Sequence, residues 1–244
     1  MRDYRAELAN RINFIRETLQ TAGADGVVFG NSGGKDSALV GVLCKRAADD
    51  VLGLIMPCET QRNYDEDRLH AEMLSEQFDI ENIIIDLTAA KRALVQCIED
   101  VCTLREDARN NINPRLRMSA LYAVAQSKNY LVAGTGNASE LFMGYFTKWG
   151  DGACDFNPIA DLTASEVLDF LRFLDAPQPI IEKAPSAGLY EGQTDEGEMG
   201  VGYAEIDAYL LGIHTAHVPD IIMQAHARTE HKRKMPIVYK PPVR

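Results

Sequence analysis

The sequence predicts an α/β fold, an open parallel sheet with helices on both faces. Short apolar runs of strand length alternate along the chain with longer segments of helical periodicity. The apolar runs are nearly continuous, which is typical of parallel strands that are buried on both faces. The 244 residues, of which 46% are hydrophobic, are enough for one large domain, and we expect residues 1–244 to form it.

The predicted elements follow this alternation. The predicted strands are residues 27–29, 51–56, 83–85 and 130–133, all interpreted as buried. The predicted helices are residues 3–23, 37–43, 68–78, 88–104, 114–127, 162–174, 203–211 and 219–229, with Thr88 and Thr163 as N-terminal caps. Two polar segments, residues 59–67 and 185–197, are expected to be loops. The second has the composition of a lid over a reactive intermediate, with a plain surface loop as the alternative.

The loop after the first strand has the composition of a phosphate-binding turn. Its glycines allow a tight turn that presents backbone N–H groups to an anion, and the following helix adds its positive end. The loop is not a Walker A motif, since Phe29 and Asp36 stand where a glycine and a hydroxyl residue are needed. A carboxylate beside phosphate requires a divalent cation, so Asp36 implies Mg²⁺; an ordinary glycine-rich turn is the alternative. The loop consists of Gly30, Asn31, Ser32, Gly33, Gly34, Lys35, Asp36 and Ser37.

A second glycine-containing turn, residues 134–140, follows the fourth strand and includes Glu140. Ligands of open parallel sheets collect beyond the carboxyl ends of the strands, so this turn and the Gly30 loop can lie side by side. Glu140 is then a candidate second carboxylate for the metal that Asp36 implies. The alternative is that Ser139 and Glu140 only begin a helix.

Three further segments carry charged or aromatic groups. Residues 144–158 combine aromatic, glycine and charged residues and are typical of a binding loop. Arg115 and Arg117 lie at a predicted helix start, where the dipole does not favour cations, so either an anionic partner or simple solvation explains them. Residues 230–236 form a basic stretch in an acidic chain, which suggests a local anionic partner.

Together these motifs resemble a known family. The SGGxDS pattern of residues 32–37 resembles the pyrophosphatase loop of enzymes that cleave ATP between the α and β phosphates. The further segments NPRLRM, GTGNASE, GYFTKWGDGACD, PSAGLYEGQTDE and EHKRKMP follow in the order typical of ammonia-dependent NAD synthetases. The resemblance implies a Rossmann-like fold of the adenine nucleotide α-hydrolase type. It also implies a homodimer whose deamido-NAD site is formed partly across the interface.

The resemblance also implies roles for individual residues. ATP is expected on residues 30–37, with Thr135 and Ser186 in contact with it, and Mg²⁺ on Asp36 and Glu140. The residues expected to contact deamido-NAD are Arg115, Lys148, Asp155, His231 and Lys232, and those expected to serve catalysis are Asp36, Lys148 and Asp155. The sequence departs from the family at Ala164, where a lysine usually reaches the ATP phosphates. Lys35 is the nearest replacement in the sequence, unless its side chain points to solvent.

The implied reaction is amidation of a pyridine carboxylate in the final step of NAD biosynthesis. ATP first adenylates the carboxylate of deamido-NAD, and ammonia then displaces AMP to give NAD.

The formal charge of −11 argues against a nucleic-acid partner. No stretch of the sequence is apolar for long enough to cross a membrane, and the N-terminal residues lack a signal-peptide core, so a cytoplasmic location is expected. The five cysteines lack zinc-site spacing and are expected to be reduced thiols.

Overall fold

A computed structural model describes residues 2–59, 65–183, 194–213 and 220–241. Its strands are β1 Gly26–Gly30, β2 Val51–Ile55, β3 Glu81–Ile84 and β4 Tyr130–Ala133. They form one parallel sheet in the order β3-β2-β1-β4. In the register of this sheet, Val28 lies opposite Leu52 on one side and Val132 on the other. The sheet confirms the four predicted strands and their parallel arrangement.

The helices of the described ranges connect and cover these strands. They are α1 Tyr4–Ala22, α2 Lys35–Ala47, α3 Glu66–Phe78, α4 Thr88–Glu99, α5 Glu106–Asn110, α6 Ile112–Lys128, α7 Ala138–Met143, α8 Ala164–Phe173, α9 Gln178–Glu182, α10 Asp195–Met199, α11 Tyr203–Leu210, α12 Asp220–Arg228 and a 3₁₀ helix Glu230–Lys232. Among the described residues, no helix combines the length and the apolar character that crossing a bilayer requires.

Helices lie on both faces of the sheet, as predicted. Val27 and Phe29 point to one face, where they pack with buried residues of α1, α2 and α8. Val28, between them in β1, points to the other face and packs with partly buried residues of α6. Because successive side chains of a strand point to opposite faces, one short apolar run contributes to both layers.

The structure confirms one predicted cap, Thr163, and contradicts the other, Thr88, and it shows a cap at Asp3 that the sequence analysis did not predict. Asp3 accepts hydrogen bonds from the N–H groups of the first turn of α1, and Thr163 forms a capping box with Glu166 at α8. The prediction that Thr88 caps α4 was wrong, because Thr88 is already helical and its N–H donates to Asp86 Oδ1 at 2.8 Å. That helix also ends at Glu99 rather than at residue 104.

The prediction that the third strand is buried was wrong. Ile83 and Ile84 of β3 are 38% and 44% exposed, although the run is strongly apolar. The sheet order explains this exposure, since β3 is an edge strand and pairs only with β2 among the described strands. An apolar run therefore predicted the strand correctly but not its place in the sheet.

The two predicted loops are only partly described. Residues 60–64 of the first lie outside the described residues, and Glu66 and Asp67 at its end already belong to α3. Residues 185–193 of the second also lie outside. At its end the loop prediction was wrong, because Asp195 to Gly197 form the first residues of α10. The interpretation of this segment as a lid stays a prediction.

An ion-pair network joins the N-terminal helix to the start of α8. Arg2 pairs with Asp161 at 2.8 Å and with Glu166 at 2.7 Å, and Arg11 pairs with Asp161 at 2.7 Å and with Glu7 at 2.7 Å. Partial burial alone would raise the pKa of Asp161, but the hydrogen bonds and charges of Arg11 and Arg2 lower it below its ordinary value. The ionised carboxylate therefore stabilises the contact between α1 and α8.

We expect Asp161→Asn to lower the free energy of unfolding by about 1 kcal/mol at neutral pH, a modest effect because the carboxylate is partly exposed. Since the folded-state pKa is depressed, this stabilisation is present above the ordinary aspartate pKa of about 3.9 and disappears as the pH falls below it. Urea unfolding between neutral and acidic pH measures the difference. Asp169→Asn, which breaks an exposed pair with Arg172 within α8, is the control and should have a smaller effect. A pH-independent loss would contradict the assignment.

Candidate active site

A cavity of about 610 Å³ lies at the carboxyl ends of β1, β2 and β4. The glycine loop after β1 and the turn after β4 both line it, as the sequence predicted. Residues after β2, the first turns of α6 and the run 144–154 complete its walls. The predicted site residues that line the cavity are Gly30, Asn31, Ser32, Gly34, Lys35, Asp36, Ser37, Thr135, Glu140 and Lys232.

Hydroxyl groups fix the shape of the glycine loop. Ser32 Oγ lies 3.0 Å from Ser37 Oγ and accepts a hydrogen bond from Gly34 N at 3.3 Å. Ser37 Oγ also donates to Gly34 O at 3.0 Å. Gly34 immediately precedes α2, so the N–H groups of the first helical turn open toward the cavity, as an anion site requires.

A buried ion pair in the cavity wall supports this loop. Lys183 Nζ lies 2.7 Å from Asp67 Oδ1 and donates to Gly33 O at 3.2 Å, and the lysine side chain is only 8% exposed. Gly33 has φ of +67°, and a Cβ built on it would lie 2.1 Å from Asp67 O. The loop conformation therefore depends on a glycine at this position for two separate reasons.

Asn137 brings the two candidate metal ligands together. Its Nδ2 donates to Asp36 Oδ1 at 2.9 Å, and its Oδ1 accepts from Glu140 N at 3.0 Å. Its own N–H donates to Glu140 Oε2 at 3.1 Å, which completes a capping box at the start of α7. Glu140 thus both begins a helix, as the alternative interpretation held, and faces the cavity beside Asp36.

The Lys35 side chain points into the site and not to solvent. It is 6% exposed, its Nζ lies 2.7 Å from Asp36 Oδ2, and it stands 5.3 Å from the centre of the Tyr203 ring. Burial alone would lower the pKa of Lys35, but the negative charges of Asp36 and Glu140 raise it above its ordinary value. The site therefore contains a charged lysine that is enclosed by carboxylates.

The residues present fit a magnesium ion. Burial and the nearby charge of Asp36 raise the pKa of Glu140 well above its ordinary value, so a cation between the two groups would favour the ionised form. Their oxygen atoms are the hard ligands that Mg²⁺ prefers, and Mg²⁺ commonly combines one or two carboxylates with phosphate and water. Within the described residues, no group of three or more histidine, cysteine or acidic side chains could form a closed metal cage.

Other predicted site residues lie outside the cavity wall. Asp155 accepts hydrogen bonds from Val132 N at 2.8 Å and from Tyr122 Oη at 3.3 Å, so it fixes the run 144–155 to β4. The Lys148 ammonium donates to the His231 carbonyl at 2.6 Å. Arg115 is exposed, whereas its neighbour Arg117 lines the cavity. Ser186 lies outside the described residues.

The basic stretch 230–236 packs against the predicted binding loop. Lys232 Nζ donates to Gly144 O at 2.8 Å and to Phe146 O at 2.7 Å. Arg233 donates to the Leu141 and Phe142 carbonyls at 3.2 Å each, at the C-terminal end of α7. A cation is favoured at that end of a helix. Backbone carbonyls therefore pair with basic side chains for which the sequence analysis had expected an anionic partner.

Four residues at this site were missed by the sequence analysis: Asn137, Lys183, Asp195 and Tyr203. The Asn-x-x-Glu spacing of a capping box was a usable signal for Asn137. Tyr203 Oη donates to Asp195 Oδ2 at 3.1 Å and lies 3.5 Å from Glu140 Oε1. Tyr203 and Glu140 are 63 positions apart in the sequence, so no local pattern predicted their contact.

Known proteins resemble this chain over nearly its whole length. A family model described as NAD synthase matches residues 7–238. An NH3-dependent NAD+ synthetase from Carboxydothermus hydrogenoformans is 46% identical, with 93% of this chain and 94% of that protein covered. The structure of an NMN synthetase from Francisella tularensis matches with a TM-score of 0.92 and 38% identity, covering 100% of both chains. An NH3-dependent NAD synthetase from Campylobacter jejuni matches with a TM-score of 0.78 and 32% identity, covering 98% and 100%.

We expect Gly33→Ala to destabilise the protein more than Gly23→Ala, which serves as its control. Both glycines have left-handed backbone conformations, so each alanine costs about 1–2 kcal/mol. A Cβ at position 23 has no atom within 4 Å, whereas one at position 33 collides with the Asp67 carbonyl, which adds about 1–3 kcal/mol. Urea unfolding measures both values. Equal losses would show that the loop can move away from α3 freely.

Proposed function

The chain belongs to the NAD synthase family, and we propose that it is an ammonia-dependent NAD+ synthetase, a ligase that forms a C–N bond. The observation that carries the proposal is the pair of carboxylates, Asp36 and Glu140, held together by Asn137 beside the glycine loop. An anion-binding loop next to a cation site matches the needs of Mg²⁺-ATP. The finer proposal is that deamido-NAD is the substrate.

The proposed reaction has two steps. A carboxylate oxygen of the pyridine ring attacks the α-phosphorus of ATP, the bond to the β-phosphate oxygen breaks, and pyrophosphate leaves. The nitrogen of ammonia then attacks the acyl carbon, AMP leaves with the bonding electron pair, and the nitrogen loses a proton to solvent. The first step is needed because the oxygen of a free carboxylate is a very poor leaving group.

The protein would contribute charge neutralisation and positioning to this reaction. Backbone N–H groups of residues 30–37 face the phosphates, and Thr135 and Ser186 are the further proposed ATP contacts. Bound to Asp36 and Glu140, Mg²⁺ would neutralise phosphate charge and polarise the phosphoryl oxygens. The proposed deamido-NAD contacts are Arg115, Lys148, Asp155, His231 and Lys232.

Three wider features belong to the same proposal. We propose that residues 1–244 act as one domain, that two copies form a homodimer, and that the enzyme works in the cytoplasm. The segment that includes Ser186 would exclude water from the adenylate, because water competes with ammonia for the acyl carbon.

A second candidate substrate is the mononucleotide of nicotinic acid. The likeness to an NMN synthetase, with a TM-score of 0.92 over the whole of both chains, supports this alternative. The reacting carboxylate and its ring are the same in both substrates, so the adenylation chemistry would not differ. The two candidates differ only in the part of the ligand far from the reacting carboxylate.

Steady-state kinetics with both substrates tests the proposal. Purified protein, ATP and Mg²⁺ are combined with deamido-NAD or with nicotinic acid mononucleotide, and with ammonium chloride or glutamine. We expect ammonium to support formation of the amide, AMP and pyrophosphate, with a higher kcat/KM for deamido-NAD. A higher value for the mononucleotide would favour the second candidate. Failure of both acids to yield an amide, or efficient use of glutamine in ammonia-free buffer, would contradict the proposed function.

We expect Asp36→Asn and Glu140→Gln each to lower kcat/KM by about a hundredfold or more, because a bound metal contributes several kcal/mol to such a reaction. Glu140→Gln should fold, since glutamine can replace glutamate in a capping box. Asp36→Asn leaves the buried Lys35 ammonium without its charged partner and should lower the free energy of unfolding, so its rates are measured at a temperature where circular dichroism shows the variant folded. Initial rates at increasing Mg²⁺ concentrations measure the effect, with Asp161→Asn as a control outside the cavity. Unchanged metal dependence in both variants would contradict their assignment as ligands.

A further inference from the structure

Lys35 places a positive charge beside Asp36, one of the two carboxylates that would hold the proposed metal. Its Nζ lies 2.7 Å from Asp36 Oδ2 and faces the Tyr203 ring at 5.3 Å. The hydroxyl of that tyrosine donates to Asp195 Oδ2 at 3.1 Å and reaches Glu140 Oε1 at 3.5 Å. A lysine ammonium is thus enclosed by three acidic groups and an aromatic face, all of which favour a cation.

We propose that Lys35 is a resident cation of the active site, which holds the Asp36 carboxylate in the absence of metal and competes with a divalent cation for it. The inference rests on the proposed metal role of Asp36 and Glu140. It adds Lys35 as a residue that controls the affinity of the site for the metal and makes that affinity depend on a second ligand, the nucleotide.

The hydrogen bonds of Asp36 support this competition. Its Oδ1 accepts from the Asn137 amide at 2.9 Å, so Oδ2 is the oxygen that the amide leaves available. Lys35 occupies Oδ2. A divalent cation that uses this oxygen must displace the ammonium group, or remain beside a like charge in a buried site where repulsion is strong.

Displacement would give Lys35 a second role. Its backbone stays in the glycine loop at the first residue of α2, so a released ammonium group remains within the cavity that the loop lines. The phosphate chain of ATP would then bring negative charge with which the released ammonium group can pair. When metal and nucleotide bind together, the metal pairs with Asp36 and the Lys35 ammonium pairs with phosphate. When metal binds alone, Lys35 loses its carboxylate partner. The proposal therefore predicts weak binding of free metal by the wild-type protein.

Titration with Mn²⁺ alone, in the absence of any nucleotide, tests this prediction. Electron paramagnetic resonance of free Mn²⁺ measures the dissociation constant for the wild-type chain, Lys35→Met and Lys45→Met. We expect Lys35→Met to bind Mn²⁺ about tenfold or more tightly than the wild type, because a competing charge is removed. Lys45 lies in the same helix but pairs with the fully exposed Asp79 side chain at 3.7 Å, so its variant should match the wild type. Equal or weaker binding by Lys35→Met would overturn the proposal.

A second measurement uses the wild-type chain and does not depend on how a variant folds. Acetylation of lysines is followed by mass spectrometry with and without saturating Mn²⁺. We expect the metal to increase the acetylation rate of Lys35 severalfold by releasing it from Asp36, with no change at Lys45. An unchanged rate at Lys35 would overturn the proposal. Neither assay contains ATP or a nicotinic acid derivative, so a chain that failed to make NAD could still pass both tests.

Discussion

The buried side chain of Asn137 is the contact on which the geometry of the site depends. It is fully buried and joins Asp36 at the start of α2 to Glu140 at the start of α7. These helices follow β1 and β4, which are neighbours in the sheet although about a hundred residues separate them. With β2 on the other side of β1, the cavity lies where the strand order reverses, the usual binding position in open α/β sheets. The topology brings the two carboxylates near each other, and one amide sets their separation.

Charge at this site is balanced locally, in a way that the net charge of the chain does not reveal. The cavity wall includes several carboxylates, and the structure places buried lysines among them: Lys35 beside Asp36, and Lys183 beside Asp67. A buried charge is costly unless it is paired, so each of these lysines stabilises the carboxylate beside it, in addition to any role in function. An incoming triphosphate adds further negative charge, and under the proposed reaction a divalent cation balances it. The acidic composition of the chain is thus compatible with an anionic substrate.

The sequence predicted the layers of the fold and the segments of the site, but not the contacts between them. Apolar runs identified all four strands, but not the exposure of β3, because its edge position depends on which strand lies beside it. The glycine loop was recognisable because its backbone conformation demands particular residues nearby. The direction of the Lys35 side chain was not predictable, since Tyr203 and Glu140 decide it from distant parts of the chain. Ala164 and Tyr203 belong to the same buried cluster, and the Tyr203 ring is the one that Lys35 faces.

The difference between the fixed residues at the reacting end and the exposed residues around the rest of the ligand bears on substrate choice. Asp36 and Glu140, proposed to act at the phosphates, are partly buried and fixed by Asn137, so they would serve a mononucleotide and a dinucleotide equally. Arg115, proposed to contact the rest of the ligand, is exposed, and its guanidinium lies 3.5 Å from the Lys148 carbonyl. Differences in affinity between two ligands that share a reacting end must arise from the groups around the remainder. Close relatives can therefore share the fold and the chemistry of this site and still differ in the length of the nucleotide that they amidate.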